Sequence, residues 1–136
     1  MVPELAFDTG LGEIFTVRVA GNVANTSSVA SIEYAVAHLQ SAVIVVLGHE
    51  SCGAVTAAVA GGDNGHNLNH LLAHVTPAVH ACGDAPLKEV VETNAKLVAK
   101  ELLVRSPIIT DAVNRGVLRI VPAYYELGSG RVNFLG

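Results

Sequence analysis

The apolar run Ala42-Val43-Ile44-Val45-Val46-Leu47 passes directly into Gly48-His49-Glu50-Ser51-Cys52-Gly53, and no other stretch constrains the fold as strongly. An unbroken apolar run with no polar alternation marks a strand covered on both faces, the pattern of a parallel sheet held between helices. Gly48 and Gly53 permit a tight turn at the end of this strand, and Ala54–Ala60 then reads as a helix ended by Gly61-Gly62. Open α/β sheets bind ligands at the carboxyl ends of their strands. His49 and Cys52 stand at such an end, three residues apart, and an imidazole and a thiol are both donors that zinc accepts.

The other segments agree with an α/β chain. Ile14-Phe15-Thr16-Val17-Arg18-Val19 alternates as a strand does, giving an expected strand over Glu13–Ala20 that Gly21-Asn22 breaks. Thr26 or Ser27 is placed to cap a helix carrying Val29, Ile32, Val36 and Leu39 at helical spacing. Leu68, Leu71, Leu72, Val75 and Val79 form a further stripe, bent or ended near Pro77. Pro86 opens a long helix to about Arg105, and Pro107 starts a short one. Val117–Val121 is the last parallel strand, and Tyr124–Leu127 with Arg131–Leu135 around Gly128-Ser129-Gly130 reads as a hairpin or edge strand. The expected architecture is a mostly parallel β-sheet flanked by helices, in a single domain over residues 1–136.

Composition excludes several function classes. A formal charge of −4, with no run of Lys or Arg, offers no footprint for nucleic acid. No apolar run approaches the roughly 20 residues that span a bilayer, and no early stretch has the form of a signal peptide. Cys52 and Cys82 lack the spacing of a redox pair, which points to a reducing, cytoplasmic setting.

Five ordered stretches carry a family resemblance: Phe7-Asp8-Thr9-Gly10-Leu11-Gly12-Glu13-Ile14-Phe15, Val17-Arg18-Val19-Ala20-Gly21-Asn22, Ser31-Ile32-Glu33-Tyr34-Ala35-Val36, Val45–His49 with Ser51–Val55, and Tyr124–Val132. In these the chain resembles the β-class carbonic anhydrases, which hydrate carbon dioxide reversibly to bicarbonate at a zinc ion. The resemblance implies that His49 and Cys52 are zinc ligands. It also implies that the amides of Gly53 and Ala54 meet an anionic oxygen at the start of the following helix.

The family's first ligand lies in a Cys-x-Asp-Ser-Arg segment placed just before a stretch like Val2-Pro3-Glu4, and here Met1 stands in that place. The resemblance therefore implies an N-terminally truncated member. It would lack one thiolate, the Asp and Arg of that segment, and the first strand of the family sheet, which lies between the strands expected over Glu13–Ala20 and Val43–Leu47. Zinc would be held by a partial site, no residue is assigned as a catalytic group, and hydration would be weak or absent. Arg18 and Tyr125 match positions that line a second bicarbonate pocket in some members, while Arg18 equally suits an ion pair at a strand end. A homo-oligomer, dimer or higher, is the expected assembly.

His66, His70 and His74 recur every four residues on one helix face, which reads as a solvated face because no acidic ligand repeats with them. His38 and His80 read as surface residues, and Cys82 as a small buried hydrophobe. Three functions compete on this reading: a truncated carbonic anhydrase, a non-enzymatic anion-binding or assembly module of the same fold, and a redox or metal sensor using His49 and Cys52 alone.

Overall fold

The computed structural model describes residues 1–136, the whole chain. A one-turn helix α1 (Pro3–Ala6) opens it, and a 3-10 turn at Ala20–Asn22 precedes α2 (Thr26–His38). Strand β1 (Val43–His49) follows, then α3 (Gly53–Ala60), α4 (His66–Ala73), α5 (Thr76–Cys82), α6 (Leu87–Arg105) and α7 (Pro107–Asn114). Strands β2 (Arg119–Tyr125) and β3 (Val132–Phe134) close the chain. The sheet is small and mixed: β1 pairs with β2 in parallel, and β3 adds to the far side of β2 antiparallel. The α/β class with a sheet between helices is thus as the sequence implies.

Three local expectations are corrected. The cap of α2 is Asn25, whose side chain accepts from the Ser28 amide at 2.9 Å, rather than Thr26 or Ser27. The last parallel strand begins and ends later than Val117–Val121, because it runs on through Pro122. The register explains why proline is tolerated there: the Arg119 amide donates to the Ala42 carbonyl, so residues 119, 121, 123 and 125 turn their backbone groups toward β1. Pro122 faces the other way, where its missing N–H breaks no bond to β1, and its carbonyl accepts from the Leu135 amide at 2.9 Å.

The third correction concerns Glu13–Ala20, which forms no strand. Phe15–Val19 runs without helix, turn or bend, and Val19 is extended at φ −140° and ψ 142°, yet no neighbouring strand pairs with it. Alternation gives a segment strand character, but a strand exists only where its amides and carbonyls find a ladder. The edge of β1 that looks toward this segment is likewise free, since the sheet order is β1-β2-β3.

Helix α6 holds the core together. Val98, Ala99 and Leu102 on it pack with Val29, Val46, Ile109 and Leu118, while Val90 and Val91 pack with Val55, Val75, Ala78 and Tyr124. The close approach of α6 to β1 depends on Gly48: a Cβ there would lie 2.7 Å from Val91 Cγ1. Asn94, also on α6 and buried, donates from Nδ2 to the Gly21 carbonyl at 2.8 Å and so fixes the turn beside α3. Ser106 is fully buried, caps α7 by accepting from the Ile109 amide at 3.1 Å, and donates to Glu33 Oε2 at 2.6 Å. No helix is long and apolar enough to cross a membrane.

Candidate functional site

The end of β1 sets the site. His49 is its last residue, in register with Tyr125 of β2, and the chain then turns through Glu50 and Ser51 to Cys52, the residue that precedes α3. Ser51, within this turn, takes a positive φ of 57°. The turn is tied on its outer side by Glu50. Its amide donates to the Tyr125 carbonyl at 2.9 Å, and its Oε1 accepts from the Leu127 amide at 2.8 Å and the Gly128 amide at 3.3 Å. Glu50 thereby clamps the β2–β3 loop against the end of β1, a role that sequence reasoning missed.

Two donors result. His49 Nδ1 lies 2.9 Å from the Glu50 carbonyl. A carbonyl can only accept, so Nδ1 carries the hydrogen, and in the neutral imidazole Nε2 is then the nitrogen with the lone pair that a metal would take. Cys52 is buried and its thiol is free of any disulfide. Both residues line the same cleft, which also takes in Arg18. The amides at the start of α3, Gly53 and Ala54 among them, receive no side-chain cap from Cys52 and so remain to meet an anion or water.

The donor set stops there. No group of three or more His, Cys, Asp or Glu in the chain is arranged to hold a metal. Zinc takes about three or four protein ligands. His49 and Cys52 are donors of the right chemistry, but by themselves they do not make a zinc site, and no hydration step can be assigned to these residues.

The remaining candidates are dispersed. Arg18 is exposed at the cleft and forms no ion pair, the only ones in the protein being Lys88–Glu92, Arg105–Glu101 and Arg115–Asp111. Tyr125 is half-buried on β2, outside the lining of the cleft, and shares no hydrogen bond with Arg18. His66 and His70 are exposed on α4, with the His70 and His74 rings edge to face at 5.6 Å. Cys82 is half-buried, packs beside the Val90 cluster, and donates to Thr93 Oγ1 at 3.2 Å. Tyr124, buried between α6 and the sheet, has its hydroxyl pKa raised, first by burial and then by the negative charges of Glu50, Glu92 and Glu126. The exposed Glu126 carboxyl is held below its usual range by hydrogen bonds from Ser129 and Asn133.

Comparison with known proteins gives one answer. The family profile described as carbonic anhydrase matches residues 1–132. The chain is similar to the carbonic anhydrase of Mycolicibacterium smegmatis, 40% identical over 136 residues that take in 95% of this chain and 66% of that protein. It is 39% identical over 135 residues to carbonic anhydrase 2 of Mycobacterium tuberculosis, covering 94% of this chain and 65% of that one. Among solved structures, a tetrameric β-carbonic anhydrase from Sordaria macrospora superposes with a TM-score of 0.89 at 26% identity, over 99% of this chain and 74% of that one. A Coccomyxa β-carbonic anhydrase in complex with acetazolamide gives 0.86, also at 26% identity, over 99% of this chain and 66% of that one. The chain thus spans slightly less than two thirds of the two mycobacterial relatives.

Proposed function

Because the chain belongs to the β-class carbonic anhydrase family, we propose that it is a unit of that fold carrying half of a zinc site, with carbon dioxide and bicarbonate as the substrate pair. His49 and Cys52 are the two ligands it contributes, and zinc, when fully ligated in this family, supplies an activated water for hydration. The observation that carries this reading is the pairing at the end of β1. His49 has Nδ1 engaged by the Glu50 carbonyl and Nε2 left for a metal, and the buried Cys52 thiol lines the same cleft. The amides of Gly53 and Ala54 receive the anionic oxygen; Arg18 lines the same cleft, while Tyr125 lies outside that lining.

On its own the 136-residue chain binds zinc weakly and hydrates carbon dioxide slowly or not at all, since it brings two donors where about three or four are needed. It acts as one domain, in the cytoplasm, and assembles as a homo-oligomer of two or more copies. The unpaired edge of β1 favours a second reading, in which the unit is an anion-binding or assembly module with no turnover of its own. Stopped-flow hydration of carbon dioxide by the purified chain with added zinc tests the first reading. A rate near background is expected, whereas turnover at the level of ordinary zinc hydratases, abolished by His49→Ala, would contradict it.

A further inference from the structure

Between β1 and α3 one peptide group is held by nothing but a side chain. Residue 50 is pinned on one flank: the Glu50 amide donates to the Tyr125 carbonyl at 2.9 Å, and Oε1 accepts from the Leu127 and Gly128 amides. Residue 52 is pinned on the other, where the Cys52 carbonyl accepts from the Thr56 amide at 3.0 Å and from the Thr56 hydroxyl at 2.8 Å. The Glu50–Ser51 peptide between them makes a single hydrogen bond, with His49 Nδ1 donating to the Glu50 carbonyl at 2.9 Å, and the Ser51 amide has no partner in the protein. Ser51 is exposed and takes a positive φ of 57°, a region that few non-glycine residues enter.

A four-residue turn has two common forms that differ by turning over its central peptide: the third residue has positive φ in one form and negative φ in the other. Here the turn is His49–Cys52 and its central peptide is Glu50–Ser51. Turning that peptide over takes Ser51 out of positive φ, withdraws the Glu50 carbonyl from His49, and swings the Ser51 N–H to the side the carbonyl occupied. Nδ1 then meets a donor instead of an acceptor, so a neutral ring puts its hydrogen on Nε2. We propose that this peptide is a two-position element that selects which nitrogen of His49 carries the hydrogen, with Ser51 as the positioning residue that sets the balance through its φ. In the present position Nε2 keeps its lone pair, and in the other it does not. The ring holds one hydrogen in both, so its charge does not change. The consequence for a metal rests on the proposed zinc reading, whereas the tautomer belongs to the metal-free chain, so the two stand or fall separately.

The test reads the tautomer of His49 in the whole metal-free chain, labelled with nitrogen-15, from long-range proton–nitrogen spectra in alkaline solution, where imidazoles are neutral. The His49 signals are those missing from His49→Gln. Hydrogen on Nδ1 is expected in the parent and in Ser51→Gly, since glycine takes positive φ freely. Ser51→Val places a β-branched residue where positive φ is costly, and should shift the ratio of the tautomers toward Nε2–H by about tenfold. Both substitutions fall on an exposed side chain and leave the core untouched. Hydrogen on Nε2 in the parent would overturn the proposal, as would Ser51→Val and Ser51→Gly ratios within about twofold of each other. So would a Ser51→Val chain that fails to fold while Ser51→Gly folds, because the turn would then have no second position.

Discussion

Replacing Gly48 by alanine should destabilise the protein through one contact. The added Cβ would sit 2.7 Å from Val91 Cγ1, 3.3 Å from the Val91 carbonyl oxygen and 3.8 Å from Ala95 Cβ. Carbon atoms pack best at about 3.5–4.0 Å, so the first of these overlaps by about 1 Å. Val91 cannot step aside cheaply: it is buried, and a valine in a helix has one strongly preferred χ1 rotamer. Strand β1 must then move off α6, and forcing an extra methyl into a packed core costs about 1–3 kcal/mol. For a domain of this size that lowers Tm by about 3–6 °C per kcal/mol. Urea denaturation followed by circular dichroism reads the loss directly. Gly128→Ala is the control, since a Cβ there meets nothing within 4 Å, and it should be neutral or mildly stabilising. In the double variant with Val91→Ala the Gly48→Ala penalty should shrink, a coupling that marks the contact itself. A Gly48→Ala protein within about 0.5 kcal/mol of the parent would refute the packing argument.

Other residues give independent checks. Asn94→Ala should cost about 1–3 kcal/mol, because the buried Gly21 carbonyl loses its donor, and equilibrium denaturation measures it. Tyr124 has a raised hydroxyl pKa, so the folded state keeps its proton while the unfolded chain releases it near the ordinary value of about 10. Its contribution is therefore complete below about pH 10 and is lost as pH rises from there through the folded pKa. Tyr124→Phe should flatten the fall of stability above about pH 10, and an unchanged slope there would show that Tyr124 is not held neutral by the fold.

The sequence was legible where local pattern and tertiary environment agree. The uninterrupted run Ala42–Leu47 announced a doubly covered strand, Pro86 and Pro107 marked two helix starts, and the His49–Cys52 turn fell at the carboxyl end of β1. At Phe15–Val19 the pattern predicts a strand that does not form, because alternation reports the side chains and says nothing of whether a neighbour exists to complete the ladder. Strand β2 runs past the expected end at Val121: proline usually ends a strand, but the missing N–H of Pro122 faces away from β1. Two features had no local signal at all. Asn94 reaches the Gly21 carbonyl, and Glu50 reaches the Leu127 and Gly128 amides, across more than 70 positions in each case, and such contacts exist only once the elements are packed.

On the proposed reading the 136 residues bring His49 and Cys52 to a zinc ion and no further donor. Inductively coupled plasma analysis of protein purified without chelator, before and after dialysis against EDTA, measures that most directly. Zinc well below one per chain is expected, removed by EDTA and abolished by Cys52→Ser. About one zinc per chain that survives EDTA and Cys52→Ser would contradict it.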